Sequence, residues 1–167
     1  MGECERRIKE LEEEVRKLKR TISFYQNKTV GGRWRAIEGD VYFYFDGGWK
    51  YAIEANNEAD DIRYRVGNYF KSKDECQKAW VNKLNYKRLE NIALKLNKGV
   101  EIDWKDPEQK KYCIFYDCIT DELYQFKNRD NGVKFLGAIY CLDKNFAKVA
   151  MEELGPKVLK EICMGSI

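Results

Sequence analysis

Apolar residues spaced alternately three and four apart near the N-terminus constrain this chain more than any other feature. Ile8, Leu11, Val15, Leu18, Ile22 and Tyr25 follow one another at that rhythm, the heptad pattern of a coiled coil. The spacing predicts one helix over residues 3–26. With Ile8, Val15 and Ile22 at position a, Leu11, Leu18 and Tyr25 fall at d, and β-branched a residues with leucine at d favour two parallel strands. Arg7 and Glu14 then occupy g, and Glu12 and Lys19 occupy e. In a parallel pair each g faces the following e of the other helix, which sets Arg7 against Glu12 and Glu14 against Lys19, two attractive matches. An antiparallel pair would oppose g to g and e to e, a poorer fit for these charges. The apolar stripe is confined to a and d, narrower than the face of a helix docked on its own domain. Three heptads or so are short for a free coiled coil, so the domain behind is expected to help. Residues 1–28 are therefore expected to be a dimerisation helix and 29–167 an α+β domain.

The 167 residues suit one domain with an appendage. No apolar run approaches the roughly 18 residues of a membrane span, and the charged N-terminal stretch lacks a secretory apolar core, so a cytoplasmic protein is expected. A net charge of +3 is too small to signal nucleic-acid binding by itself. Cys4, Cys76, Cys113, Cys118, Cys141 and Cys163 form no Cys-x-x-Cys pair, and there is no histidine. Reduced thiols serving mostly as small core fillers are expected, with no metal and no cofactor.

Beyond a break at Asn27–Gly32, Arg33–Ile37 and Asp40–Asp46 read as strands, with Gly47-Gly48 as a two-residue hairpin turn and Trp49–Glu54 as the returning strand. Asn56–Asp61 reads as an acidic loop and Ile62–Phe70 as a further strand broken at Gly67. Ser72 and Glu75 have capping-box spacing and start a helix to about Asn97. Cys76, Trp80, Leu84, Leu89, Ile92, Ala93 and Leu96 supply its inward side. From Lys71 to Lys98 eight basic residues stand against three acidic ones, so a basic outer face is expected. Strands are then predicted at Tyr112–Asp117, Glu122–Phe126 and Phe135–Cys141. Asp143 is predicted to cap a helix through Leu154, closed by Gly155-Pro156, with a last short helix over 157–162.

The two halves of the domain rhyme. Each reads strand, turn after an aspartate, strand, polar loop, a Gly-x-x-aromatic segment and a helix. Asp46 to Gly67 spans 21 positions and Asp117 to Gly137 spans 20. Two hairpin-plus-helix ββ(β)α units with antiparallel sheet, at about 33–98 and 111–155, are expected to pack together. Asp46 and Asp117 are explained as turn residues whose side chains bond to backbone.

Trp34-Arg35-Ala36, the run from Arg63-Tyr64-Arg65-Val66-Gly67-Asn68-Tyr69-Phe70 to Lys71-Ser72-Lys73-Asp74-Glu75, Glu101-Ile102-Asp103-Trp104 and Gln109-Lys110-Lys111-Tyr112 together resemble small proteins of phages and prophages of Gram-positive bacteria. Those proteins often begin with a charged helix rich in Glu, Leu and Lys. The likeness extends over nearly the whole chain, and its most specific part is Gly-Asn-x-Phe before the capped helix. It implies no catalytic residue. It implies a setting, a small accessory phage protein acting inside the bacterial cell.

The residues argue against an enzyme. Without histidine there is no Ser-His or Cys-His pair, and Ser23, Ser72 and Ser166 lie in no nucleophile elbow. Asp61 with Asp103-Trp104-Lys105 has the composition of a metal-dependent nuclease but a loose spacing. Binding fits better. Glu58, Asp60 and Asp61 on one side, and Lys78, Lys83, Lys87, Arg88 and Lys95 on the other, offer patches of opposite sign for a protein partner. A dimer would present each patch twice. The expectation is a homodimer that binds a host protein, such as a nuclease of a bacterial defence system, and inhibits it, as an anti-CRISPR or similar counter-defence protein does. The resemblance, and no single residue, supplies that last step. One alternative is a nucleic-acid-binding accessory protein using the basic helix face, with Trp49, Tyr51 or Tyr69 stacking on bases. Another is a protein that sequesters a small nucleotide between the repeats.

Overall fold

The computed structural model describes residues 2–29, 33–128 and 134–165, with side chains for 2–22, 33–127 and 134–165. It is an α+β chain. Helix α1 (Glu3–Thr29) is followed by β1 (Val41–Phe45), β2 (Trp49–Ile53), α2 (Glu58–Arg65), α3 (Lys73–Asn97), β3 (Lys111–Asp117), β4 (Glu122–Asn128), α4 (Phe146–Leu154) and α5 (Pro156–Cys163). The strands form two separate antiparallel hairpins, β1–β2 and β3–β4. The chain divides into two compact units, Met1–Lys78 and Ala79–Ile167.

In the first unit, the hairpin register pairs Val41 with Ile53 and Phe45 with Trp49. Its turn is therefore three residues, Asp46–Gly48, one wider than expected. The Asp46 amide donates to the Gly48 carbonyl at 2.8 Å, and Gly47 takes φ +66°, open to glycine without strain. Alternation along the strands turns Tyr42 and Tyr44 with Ala52 to one side. There they pack with Ala36, Tyr69, Trp34 and Tyr64 into a small aromatic core. A third segment joins the hairpin through one bridge, Phe43 to Phe70.

Three expectations for this unit need correcting. Arg33–Ile37 forms no strand. Its buried Ala36 amide donates to the Tyr69 hydroxyl at 3.2 Å instead of to a ladder. The acidic stretch after Asn56 is no loop, and Ile62–Phe70 is no strand. Together they hold helix α2, capped by a reciprocal box between Asn57 and Asp60. Glu58, Asp60 and Asp61 in its first turn and Arg63 and Arg65 in its last suit the helix dipole.

Helix α3 begins as its capping spacing predicts. The Glu75 amide donates to Ser72 Oγ at 3.2 Å, and the Lys71 amide donates to Glu75 Oε2 at 3.0 Å. Most of the helix belongs to the second unit. Leu89, Ile92 and Ala93 are buried with Cys141, Phe146, Ala150 and Leu159, flanked by Leu96, Ile114, Leu123, Ile139 and Val149. Each half holds a hairpin with a single bridge to a third segment, the second bridge being Tyr112 to Cys141. Yet the long helix assigned to the first half supplies core residues to the second unit.

The turn of β3–β4 is an Asx turn as expected. Asp117 Oδ1 accepts from the amides of Ile119 at 2.8 Å and Thr120 at 3.4 Å. Asp46 differs, for its carboxylate accepts from Lys50 Nζ at 2.7 Å. Phe135–Cys141 holds no strand beyond the bridging Cys141. Asp143 does not cap α4. Its carboxylate holds the Asn145 amide at 2.7 Å, one turn early, and the helix starts at Phe146. Gly155, at φ 79° and ψ 160°, links α4 to α5 in a conformation closed to other residues. Cys76, Cys113 and Cys141 are buried and Cys163 is half-buried, as core fillers should be, whereas Cys4 and Cys118 are exposed.

Candidate functional site

The N-terminal stripe leaves a row of large aliphatic side chains exposed. Ile8, Leu11, Val15, Leu18 and Ile22 are each between 44% and 60% exposed. The Tyr25 side chain lies outside the described residues. A stripe of large aliphatic side chains at this exposure is what an unpaired coiled-coil seam looks like. Of the flanking charges, Arg7 lies 3.1 Å from Glu10 of its own helix; it, Glu12, Glu14 and Lys19 are all exposed. Arg20, off the stripe, reaches Asp40 of the hairpin at 3.1 Å.

The acidic patch proposed on Glu58, Asp60 and Asp61 is only partly a surface. Glu58 is exposed. Asp61 lies 2.7 Å from the guanidinium of Arg35. Asp60 is 1% exposed and cannot reach a partner. Its carboxylate accepts from the Tyr42 hydroxyl at 2.6 Å and from the Ala55 amide at 2.8 Å. Burial alone would raise the Asp60 carboxyl, but the Tyr42 hydroxyl, the Ala55 and Asn57 amides and the Arg63 charge outweigh it and hold the group below its usual range.

Asp60 is one end of a buried polar network that sequence reasoning did not foresee. At the other end, fully buried Glu54 accepts from Arg35 Nη2 at 3.0 Å, from the Asn56 amide at 2.9 Å and, over a short contact, from the Tyr69 hydroxyl. The Glu54 hydrogen bond, foremost, holds the Arg35 guanidinium protonated well beyond its usual range. Tyr42 and Tyr69 stack at 3.9 Å between the two carboxylates. Burial, with the Asp60 bond, pushes Tyr42 up to about 12, and burial with the Glu54 bond raises Tyr69 further. Arg63 donates to the Tyr42 oxygen at 2.6 Å and lies over the Tyr44 ring at 4.0 Å. Both buried carboxylates, Glu54 and Asp60, have hydrogen-bond partners, as a buried polar network requires. One sequence signal could have found it. Continued past Ala52, the strand alternation puts an acid, Glu54, on the inward face.

Lys78, Lys83, Lys87, Arg88 and Lys95 of α3 are all exposed, but they do not fall in one narrow row. At about 100° per residue, Lys83 and Lys87 stand about 40° apart, Arg88 and Lys95 about 20° apart, and Lys87 and Arg88 about 100° apart, with Lys78 elsewhere. Lys87 also pairs with Glu90 at 2.6 Å. The expected basic outer face is therefore a scatter of charges around the solvated side. Of the aromatics considered for base stacking, Tyr51 is exposed and Trp49 carries Lys73 over its ring at 4.1 Å. Tyr69 is buried at 3% exposure and cannot stack on a base.

Within the second unit an open hollow of about 600 Å³ is lined by Tyr86, Glu90, Leu94, Val100, Trp104 and Tyr140, among others. Trp104 meets Tyr140 edge-on at 4.8 Å. Among the described residues no group of three or more Cys, Asp or Glu could hold a metal ion, and no helix is long and apolar enough to cross a membrane. No protein-family model matches the chain, and no curated protein or solved structure matches it either.

Proposed function

We propose that this chain is a non-enzymatic binding protein that pairs with a second copy of itself through α1 and uses the doubled domain to bind and inhibit a host macromolecule inside a bacterial cell. The observation that carries the pairing is the exposed a and d stripe, Ile8 to Ile22, with no apolar cover from its own chain among the described residues. Its flanking charges match in a parallel pair. Doubling gives each surface twice, and simultaneous engagement raises apparent affinity by orders of magnitude without a new contact. The likeness to accessory phage proteins makes a component of a defence system, a CRISPR nuclease among them, the favoured target.

Two measurements test this reading. Light scattering on full-length protein gives twice the chain mass, and a Leu11→Glu, Leu18→Glu variant gives the single mass. That variant strips four leucines from a dimer seam and inserts four like charges, raising the dissociation constant at least about 100-fold. Phage plating on cells that carry one defined CRISPR system recovers when the wild-type chain is expressed, and recovers less with the variant. Plating that never changes across a panel of defence systems overturns the inhibitory role. Retention of DNA or RNA that weakens steeply with salt would replace it with the nucleic-acid reading.

A further inference from the structure

We propose that the second copy lies parallel and in register on α1, so that the two Cys4 thiols face each other across the seam and form a pair that a disulfide oxidant can close. This inference rests on the dimer reading above and adds its direction, its register and a chemical consequence.

Cys4 stands seven positions before Leu11, as Leu11 stands seven before Leu18. It is therefore a d residue, one heptad ahead of the first leucine. Helix α1 begins at Glu3, so Cys4 already has helical geometry and continues the stripe. Of the six thiols only Cys4 and Cys118 are exposed, and Cys118 sits in the β3–β4 turn. A second copy of the chain is the occupant that the flanking charges select. In register, Arg7 faces the other chain's Glu12 and Glu14 faces its Lys19, whereas antiparallel pairing or a one-heptad slip loses at least one match.

Register decides which thiols meet. Packed helices run about 10 Å apart, and each Cα lies about 2.3 Å from its axis. Facing Cα atoms in a seam layer then stand about 5–6 Å apart, inside the window of roughly 4.4–6.8 Å that a disulfide spans. In a parallel, in-register pair, position 4 faces position 4. In an antiparallel pair the two cysteines stand at opposite ends of the seam, about 30 Å apart or more for a helix of this length. The oxidant is a small disulfide such as oxidised glutathione. One Cys4 thiolate attacks it, releasing one glutathione thiol. The second Cys4 thiolate then attacks the mixed disulfide, releasing the other. Two protein thiols become one disulfide, and one glutathione disulfide becomes two thiols.

The test uses full-length Cys118→Ser protein incubated with oxidised glutathione, read by non-reducing electrophoresis, with light scattering on the reduced sample. The expected result is a covalent dimer that dithiothreitol reverses and that Cys4→Ser abolishes. On the Cys4→Ser, Cys118→Ser background, Leu18→Cys, two heptads further along the seam, links as readily, and Arg16→Cys, at an outward b position, links at least about tenfold less. A reduced protein of dimeric mass in which neither Cys4 nor Leu18→Cys links overturns the register while the dimer stands. Linking of Arg16→Cys at the rate of Cys4 marks random collision and also overturns the proposal. A reduced protein of monomeric mass removes both the dimer and the register.

Discussion

Replacing Tyr69 with phenylalanine isolates one hydroxyl in the buried network of the first unit. The ring is 3% exposed and stacks on Tyr42 at 3.9 Å, so its packing survives the change. What is lost is the hydroxyl's bond to the Glu54 carboxylate and its acceptance of the Ala36 amide at 3.2 Å. A hydrogen bond to a charged group contributes about 1.5–3 kcal/mol, and a stranded buried amide costs at least about 1 kcal/mol. Together the expected loss is about 3 kcal/mol. Tyr64→Phe is the matched control. That hydroxyl donates to the Arg33 carbonyl at 2.7 Å in an exposed setting, where water takes its place, so the expected loss is about 1 kcal/mol or less. Urea titration reads the difference. With a slope of about 1–2 kcal/mol per molar for a unit this small, Tyr69→Phe lowers the midpoint by about 1.5–3 M, and Tyr64→Phe by at most about 1 M. Because two units need not melt together, the readout belongs on the first one. Exchange of the Phe43 and Phe70 amides, which bond to each other's carbonyls at 2.9 and 2.8 Å, reports on it directly. Equal, small losses for the two variants would refute the reasoning, since the buried hydroxyl would then count for no more than the exposed one.

Three further outcomes are expected. The Asp60 carboxyl is held below its usual range in the folded state, so its contribution is present above the unfolded value near about 3.9 and is lost as pH falls through the folded value. Asp60→Asn should flatten the acid limb of stability below about pH 4. Tyr42, pushed up to about 12 by burial, contributes stability that is complete below the unfolded value near about 10 and is lost as pH rises toward 12; tyrosinate absorbance should appear together with unfolding of the first unit. Phe146 is fully buried in the core of the second unit, so Phe146→Ala should cost about 3–5 kcal/mol and raise amide exchange in β3 and β4 far more than in β1 and β2.

What could be read from the residues was what depends on local pattern. The N-terminal helix, the Ser72 and Glu75 start of α3, the Gly155-Pro156 break and both hairpins need only nearby residues; the last three stand within a residue or two of their expected places, and α1 starts where expected but runs three residues past its expected end, to Thr29. Helix α2 was missed because two signals in Asn56–Phe70 competed. A run of acids reads as a solvated loop, and Ile62, Tyr64 and Val66 alternate like a strand. The Asn57–Asp60 capping box decided the outcome, and a box spelled with Asn and Asp carries a weaker signature than Ser with Glu. The buried network was hidden for a different reason. Glu54 and Asp60 look like surface acids until the fold brings Arg35, Tyr42 and Tyr69 to them from 15 to 19 positions away. The basic residues do lie on the exposed side of α3, but their angular spread was not legible, since eight basic residues over 28 positions say nothing about it.

The two units are held by different physics, and that difference predicts how the protein comes apart. In the second, aliphatic side chains from α3, α4 and α5 close a core around Phe146 and Leu159, and burial of such groups has no titration. In the first, Ala36, Tyr42 and Tyr69 form the buried apolar cluster among the described residues, and beside them lie two carboxylates with no exposed surface to speak of. A buried ion stays favourable only while its partners remain charged and in place, and stripping one partner costs several kcal/mol. The first unit should therefore yield to acid through Asp60 while the second persists; in alkali both are loaded, the first through Tyr42 and Tyr69 and the second through Cys113, Cys141 and Cys163, whose thiols burial pushes up. Since α1 belongs to the first unit and meets the hairpin through Arg20 and Asp40, a dimer seam on α1 would outlast that transition only if the coiled coil holds by itself. Three heptads are marginal for that. Dissociation of the dimer should then track the opening of the first unit as pH is lowered, and a dimer that survives intact below that transition would show that α1 needs no help from the domain behind it.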